Sequence, residues 1–411
     1  MKMRFLLISI SFLLVLFFFF SKSCKQFRQK VYILSNTFSG DTLEVDRSYN
    51  SKHVRDSAGN SIDSKVMRFE ITFATPPLNL EVNPAEFKFN KKGWISFEWD
   101  DNARAAMQAL LSLNTYSYTD GCGNKIPYTA ALAVNGINQR SNLEVGELLG
   151  YVTYKEMSEL ILNRWDIENH GYCHEPVGNY NFGNDRYRNI AELDKLIYER
   201  CRYLMNGHVV PTNYDGFPTA AKNFGYLFST SLQTFDNLPP AAIGKPNALV
   251  HDFGQAPVFF SSFHRLFNDD WSAFERQIQK AVSLLNEKKG YYFRAGSHSI
   301  DTVYFNKILR YIATKSGDQI MVLPTREVME YRIMKLQPIS VVLDGLKAVV
   351  EINCSGLNER IRWRDLTFNI RSDGKILDVK PLTGIDNITF NSQSNIINVF
   401  KALKQWNQYC D

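Results

Sequence analysis

Between Gly93 and Met334 strand-like and helix-like runs alternate for roughly 240 residues, and that alternation leaves few folds open. Trp94–Trp99, Tyr128–Val134 and Gly225–Ser229 are rich in aromatic and β-branched residues, as strands are. Tyr154–Trp165, Ile190–Met205, Trp271–Leu285, Thr302–Thr314 and Thr325–Met334 have helical composition. In the first of these, Met157, Leu160, Ile161 and Trp165 fall on one face. A strand that hides both faces needs helices on its outside, so the order predicts a parallel α/β barrel or a doubly wound sheet. An irregular insertion, about Leu232 to His264, interrupts the series, and loops of that length usually carry function or disorder.

Both flanks read as β structure. Lys30–Leu34, Thr42–Val45, Val66–Thr75 and Glu86–Asn90 are candidate strands before the alternating region. After it come Ser340–Leu343, Ala348–Asn353, Leu366–Ile370, Ile376–Val379 and Ile396–Phe400, with Asp373-Gly374 as a hairpin signal. The expected division is 1–23 leader, 24–90 tether and N-terminal β region, 91–334 α/β barrel, and 335–411 C-terminal β domain. The N-terminal strands are expected to pack with the C-terminal ones.

The six lysines and arginines of the first 30 residues more than account for the formal charge of +5. The remainder is close to neutral, which argues against a nucleic-acid-binding face. Phe5–Phe20 is an uncharged apolar run behind Lys2 and Arg4, the pattern of a secretory leader. Ser23-Cys24 follows it and looks like a lipoprotein processing site, although Ser21 and Lys22 depart from the usual small and aliphatic residues. The expectation is an exported protein anchored to a membrane by lipid at Cys24, with an uncleaved signal anchor as the alternative. Cys122, Cys173, Cys201, Cys354 and Cys410 are scattered, so they form no disulfide framework, though one bridge is compatible with export.

Two clusters can carry chemistry. Asp100 and Asp101 stand where the strand Trp94–Trp99 runs out, the place where α/β folds put reacting groups. The competing explanation is a helix cap. His170 and His174, in Asn169-His170-Gly171-Tyr172-Cys173-His174-Glu175, are spaced to bind one divalent cation if a carboxylate joins them. The competing explanation is a pair of satisfied surface histidines. Cys173 is a lesser candidate ligand. His251, Asp252 and His264 lie in the insertion, His208 is expected near a helix end, and Trp94 and Trp99 are expected in the core.

In combination these segments resemble the polysaccharide deacetylases, the NodB-homology proteins of carbohydrate esterase family four. Ser96-Phe97-Glu98-Trp99-Asp100-Asp101-Asn102 is similar to the family's first motif, with Asn102 in place of glycine. His170 to His174 is similar to its His-Ser/Thr-x-x-His, with Gly171 in the Ser/Thr position. Tyr291 to His298 resembles the late strand that ends in a histidine, and Ile320–Tyr331 resembles the closing strand and helix. The third motif departs: Val209-Val210-Pro211-Thr212-Asn213-Tyr214-Asp215-Gly216 has no arginine where the family has one beside a proline. Asp270-Trp271 is either the fourth motif or a helix N-cap.

The resemblance spans about Gly93 to Met334. It implies a deformed (β/α) barrel of the NodB-homology type, flanked here by small all-β regions. It implies that Asp101, His170 and His174 bind a divalent metal, zinc first, with cobalt or nickel as alternatives. It implies that Asp100 is the general base and His298 the general acid, and that the reaction removes N- or O-acetyl groups from a glycan. Two other readings stay open. One is a catalytically degenerate glycan-binding or structural surface lipoprotein, which the absent arginine favours. The other is a metal-dependent amidase on a non-carbohydrate substrate, because fold does not fix substrate.

Overall fold

The computed structural model describes residues 30–34, 65–138, 140–174, 185–213, 216–231, 249–252, 260–264, 266–267 and 269–401. The leader, Cys24, His53, the strand expected at Thr42–Val45, Cys410 and most of the Leu232–His264 insertion lie outside these residues. Strands β1 (Lys30–Leu34), β2 (Val66–Phe73) and β3 (Leu80–Pro84) precede the barrel. The barrel comprises β4 (Gly93–Trp99), α1 (Ala105–Leu113), β5 (Ser117–Thr119), β6 (Lys125–Pro127), β7 (Ala131–Val134), α2 (Tyr154–Leu162), β8 (Asp166–Asn169) and α3 (Arg186–Cys201). It continues through β9 (Gly207–Val209), α4 (Phe217–Phe224), β10 (Phe228–Ser231), β11 (His251–Asp252), β12 (Phe260–His264), β13 (Leu266–Phe267) and α5 (Trp271–Glu287). It ends with β14 (Tyr291–Ser297), α6 (Thr302–Lys315), β15 (Ile320–Val322) and α7 (Thr325–Lys335). Strands β16 (Ile339–Asp344), β17 (Lys347–Asn353), β18 (Leu366–Ser372), β19 (Ile376–Thr383), β20 (Asn387–Asn391) and β21 (Ile396–Phe400) follow.

The central sheet runs β14-β4-β7-β8-β9-β10-β12, with every neighbouring pair parallel. It closes through one short stretch, because β12 pairs with β10 and β13, one residue further on, pairs with β14. The ring is deformed at β4, whose second edge is shared: β15 pairs with Gly93–Ile95 and β7 with Glu98–Trp99. Of the two α/β architectures the alternation allows, the chain therefore adopts the deformed barrel. Ile95, Phe97 and Trp99 face the helices, where Phe97 meets Phe274 and Phe305, and Trp99 meets Phe305 and Trp165. Ser96, Glu98 and Asp100 alternate to the barrel axis. There Arg294 of β14 reaches Glu98, and lies 3.4 Å from Glu168 on β8. The interior beneath the site is thus ionic, where barrels usually stack branched aliphatic side chains.

The flanks form one β-sandwich. One antiparallel sheet runs β1-β16-β17-β2-β19 and the other β20-β21-β18-β3. Met67, Phe69, Ile71 and Phe73 alternate inward from β2 to meet Phe368, Ile370, Ile397 and Val399. Two local readings change. Glu86–Asn90 is no strand: Lys88–Asn90 forms a 3-10 turn with Phe89 at φ 57°. Asp373-Gly374 is no hairpin, since β18 and β19 belong to different sheets and the Asp373 carboxylate accepts from Leu78 and Asn79 N–H instead.

The sandwich plugs the N-terminal end of the barrel strands. Arg362 donates to Trp165 O just before β8, Trp363 N–H donates to Glu330, and Arg360 forks onto Asp194. Lys88 Nζ lies 2.5 Å from Glu327 Oε1 and 2.6 Å from Asp365 Oδ2, with Arg164 3.0 Å from the same Glu327. Burial pushes the Glu327 carboxyl up, but Lys88 and Arg164 outweigh it and hold it below the ordinary range. A depressed folded pKa adds stability above the unfolded value of about 4.3, and that stability is lost as pH falls through the folded one. Lys88→Ala leaves the buried Glu327 and Asp365 carboxylates with Arg164, 3.0 and 3.5 Å away, as the remaining cation of the cluster. We expect a loss of about 3–5 kcal/mol of stability, read by denaturant unfolding at neutral pH. An unfolding midpoint equal to wild type's would show the cluster to be energetically idle.

Candidate active site

The site is assembled at the C-terminal ends of β4, β8 and β14. Asp100 keeps the barrel-facing register of β4, and its N–H donates to Ser297 O, next to His298. Asp101 and Asn102 then turn left-handed, at φ 59° and 52°. Adjacent strand residues point to opposite faces, so this turn is what brings the second carboxylate to the same mouth as the first. Asn tolerates the left-handed region better than most residues, which suits Asn102 to the position where glycine was expected. The aspartates do not stand at the cap position: α1 runs from Ala105, its N-cap is Arg104, and that residue makes no side-chain capping bond.

His170 and His174 lie in the loop after β8. Gly171 sits between them at φ 86°, and a Cβ there would come within 3.1 Å of Asn189 Oδ1 and Cys173 O. Glycine is therefore required where the family carries Ser or Thr. Asn189 ties down the next turn, accepting from Cys173 N–H and donating to Cys173 O. The buried Cys173 thiol is pushed up to about 11 by burial, so it is no ready thiolate ligand.

Three donors converge. Asp101 Oδ1 lies 3.4 Å from His170 Nε2 and 3.5 Å from His174 Nε2, and the three ligand atoms are all within 4.8 Å of one another. His170 Nδ1 is 2.8 Å from Val209 O and donates to it in the tautomer that leaves Nε2 a lone pair. Asp101 Oδ1 is buried and accepts no hydrogen bond. A buried carboxylate oxygen without a donor, faced by two imidazole nitrogens, is what a divalent cation satisfies, so this donor set fits such an ion.

His298 Nε2 is 3.2 Å from the other oxygen, Asp101 Oδ2. Burial pushes the Asp101 carboxyl up, yet contacts with His170 and His298 and the charge of His174 hold it far below the usual range. Contact with Asp101 raises the His298 imidazole above its ordinary value despite burial, and the charges of Asp100 and Asp269 add to this. Burial lowers His170, but Asp101 and the charge of Asp100 raise it on balance. Asp100 is thus felt by both histidines while remaining buried itself.

No family model and no curated sequence matches the chain. Solved structures found similar to it include a family 4 carbohydrate esterase from Streptomyces lividans in complex with acetate, at 11% identity and a TM-score of 0.33, covering 56% of this chain and 92% of that one. They also include the chitin deacetylase of the fungal pathogen Colletotrichum lindemuthianum, at 11% identity and 0.36, covering 60% and 92%. A third is a family 4 pseudoenzyme from Bacillus anthracis, at 10% identity and 0.33, covering 58% and 66%. Overlap this partial leaves the chemistry to be read from the chain's own groups.

Those groups include two residues the motifs did not flag. Asp269, rather than Asp270, faces His298: its Oδ1 accepts from Ser297 Oγ at 2.6 Å and from His298 N–H at 3.3 Å, and its Oδ2 is 4.0 Å from His298 Nδ1. Asp270 caps α5, accepting from Ser272 and Ala273 N–H. The motif-like pair in the sequence is Asp270-Trp271, and Asp269 just before it belongs to no motif. Asn135, just past β7, carries no motif at all and bonds to both ligand loops. His208 is not near a helix end. It lies fully buried on β9 beside Ser229 Oγ and stacked on Phe217, and burial holds its pKa well below normal. The third segment offers a backbone carbonyl, Val209 O, and no arginine among its described residues. The side chains of His251 and His264 lie outside the described ones. Trp94 and Trp99 are core. Cys201 is disulfide-bonded.

Proposed function

We propose that the protein is a metal-dependent hydrolase that removes acetyl groups from the amino sugars of a glycan, with O-acetyl groups as the secondary substrate. One observation carries the reading: Asp101, His170 and His174 converge on one point, and Asp100 and His298 face the same mouth. A divalent ion held by the three ligands, zinc first and cobalt or nickel next, would lower the pKa of a bound water toward ~7 and polarise the acetyl carbonyl. Asp100 takes the proton of the attacking water as its oxygen bonds to the acetyl carbon. The C–N bond then breaks, and His298, held by Asp269, delivers a proton to the departing amine. The products are acetate and a free amino sugar.

A second reading, a glycan-binding surface protein without turnover, is favoured by one feature. The third segment has no arginine to steady Asp100. Location belongs to the proposal as well: the leader supports export and a lipid anchor at Cys24. Because β1 joins the sandwich at the barrel end opposite the site, a tether there would leave the mouth facing away from the membrane. No helix among the described residues is long and apolar enough to cross one.

The deciding assay follows acetate release from an acetylated amino-sugar oligomer with added Zn²⁺ or Co²⁺. Release that stops on chelation and returns with metal is the expected result. Metal bound without release from a panel of acetylated glycans would favour the binding protein.

A further inference from the structure

We propose that Asn135 is the positioning residue that sets how far apart the two ligand-bearing loops stand. The inference rests on the metal reading above. Strand β7 lies between β4 and β8, so the residue that follows it separates the Asp101 turn from the His170 loop. Asn135 is buried there. Its backbone N–H donates to Asn102 Oδ1 at 2.7 Å. Its side-chain Nδ2 donates to His170 O at 2.7 Å and to Gly171 O at 3.2 Å.

The two loops need this tie because the regular ladder ends just short of them. Asn102 N–H still reaches Ala133 O, and His170 N–H still reaches Val134 O. At those bonds both segments leave the strand conformation and turn left-handed, at Asp101-Asn102 and at Gly171. Asn135 continues the bonding one residue further, using its amide N–H on one side and its carboxamide on the other. Only a short side chain with N–H donors serves both carbonyls. Aspartate has the same shape but no donor, and its charge would face two carbonyl oxygens. The stake is geometric. Ligand nitrogen and oxygen atoms must each sit about 2.0–2.2 Å from one ion, so a loop displaced by an ångström loses a ligand. Removing a group that orients ligands from outside typically costs about 10–100-fold in metal affinity.

The test measures Co²⁺ affinity of the full-length purified protein by calorimetry and by the cobalt visible absorption, beside the melting temperature of each metal-free protein. Asn135→Ala and Asn135→Asp are expected to bind Co²⁺ about 10–100-fold more weakly than wild type. Asn102→Gly permits the left-handed turn and removes the buried carboxamide whose Oδ1 accepts from the Asn135 N–H. It is expected to lose affinity by the lower end of that range, about 10-fold. A merely structural role would lower the metal-free melting temperature and leave the Co²⁺ affinity of folded protein within twofold of wild type, and that result overturns the proposal. If the Asn135 variants do not fold, unchanged affinity in Asn102→Gly overturns it equally. Wild type that takes up no Co²⁺ overturns the metal reading and this inference together, whereas wild type and variants binding alike overturns only the inference.

Discussion

Asp101→Ala and His170→Ala proteins are expected to purify without the stoichiometric divalent ion expected of wild type. Each change deletes one of three donor atoms that lie within 4.8 Å of one another. Losing a ligand should cost more than the ~10–100-fold in affinity that losing an outer partner costs. The fold should survive, since Asp101 is partly exposed and its Oδ1 makes no hydrogen bond that holds the chain together. His170→Ala additionally frees Val209 O from its partner, so a small drop in melting temperature should accompany the lost ion. Binding should also weaken on acidification, because protons compete with the ion for both imidazoles. Elemental analysis decides the matter. Equal metal in wild type and both variants would place the ion elsewhere.

The second large effect is on turnover. Asp100→Asn removes the proposed base with almost no change in volume, and Asp100 is not among the three converging donors. Metal should therefore remain while kcat falls by ~10²–10⁴, the usual worth of general acid–base catalysis. One base and one acid should give wild type a bell-shaped pH dependence of kcat/KM. His298→Ala should erase the limb owed to the acid. It should hurt acetyl esters less than acetamides, because a leaving alcohol needs protonation less than an amine does. Acetate release that ignores Asp100→Asn would exclude this division of roles. The half-exposed position of His298 against the buried Asp100 fits it, since the acid must reach a leaving group on the substrate side.

Much of this architecture was legible in the chain itself. Hydrophobic periodicity is local, and from it followed β4, β7, β10 and the helices α2, α3, α5, α6 and α7, with ends displaced by a few residues, but not the short strands β8 and β9 or helix α4. Helix Ile190–Met205, for instance, runs Arg186–Cys201, because Asp185 caps it by accepting from Arg188 N–H. The paired aspartates and the histidines four apart were also visible, since short spacings survive in sequence.

What the sequence left open were choices settled only when distant segments meet. Glu86–Asn90 alternates like a strand, but Lys88 is drawn to Glu327 and Asp365, and the chain turns instead. Asp373-Gly374 has hairpin chemistry, yet the strands on either side find partners in different sheets, as burial of both inner faces demands. Which of two adjacent aspartates joins the histidines depends on the left-handed turn at Asp101 and Asn102, and that turn is held from Ala133 and Asn135 on another strand. Asp269 and Asn135 make their decisive contacts 28 to 36 residues away in sequence, a range over which no periodicity links them. The sequence by itself determined most of the helices, most of the flanking strands and the carboxylates and imidazoles available to a candidate site. The closure of the barrel, the sandwich built from both flanks and the meeting of Asp101, His170, His174 and His298 at one mouth were decided by packing.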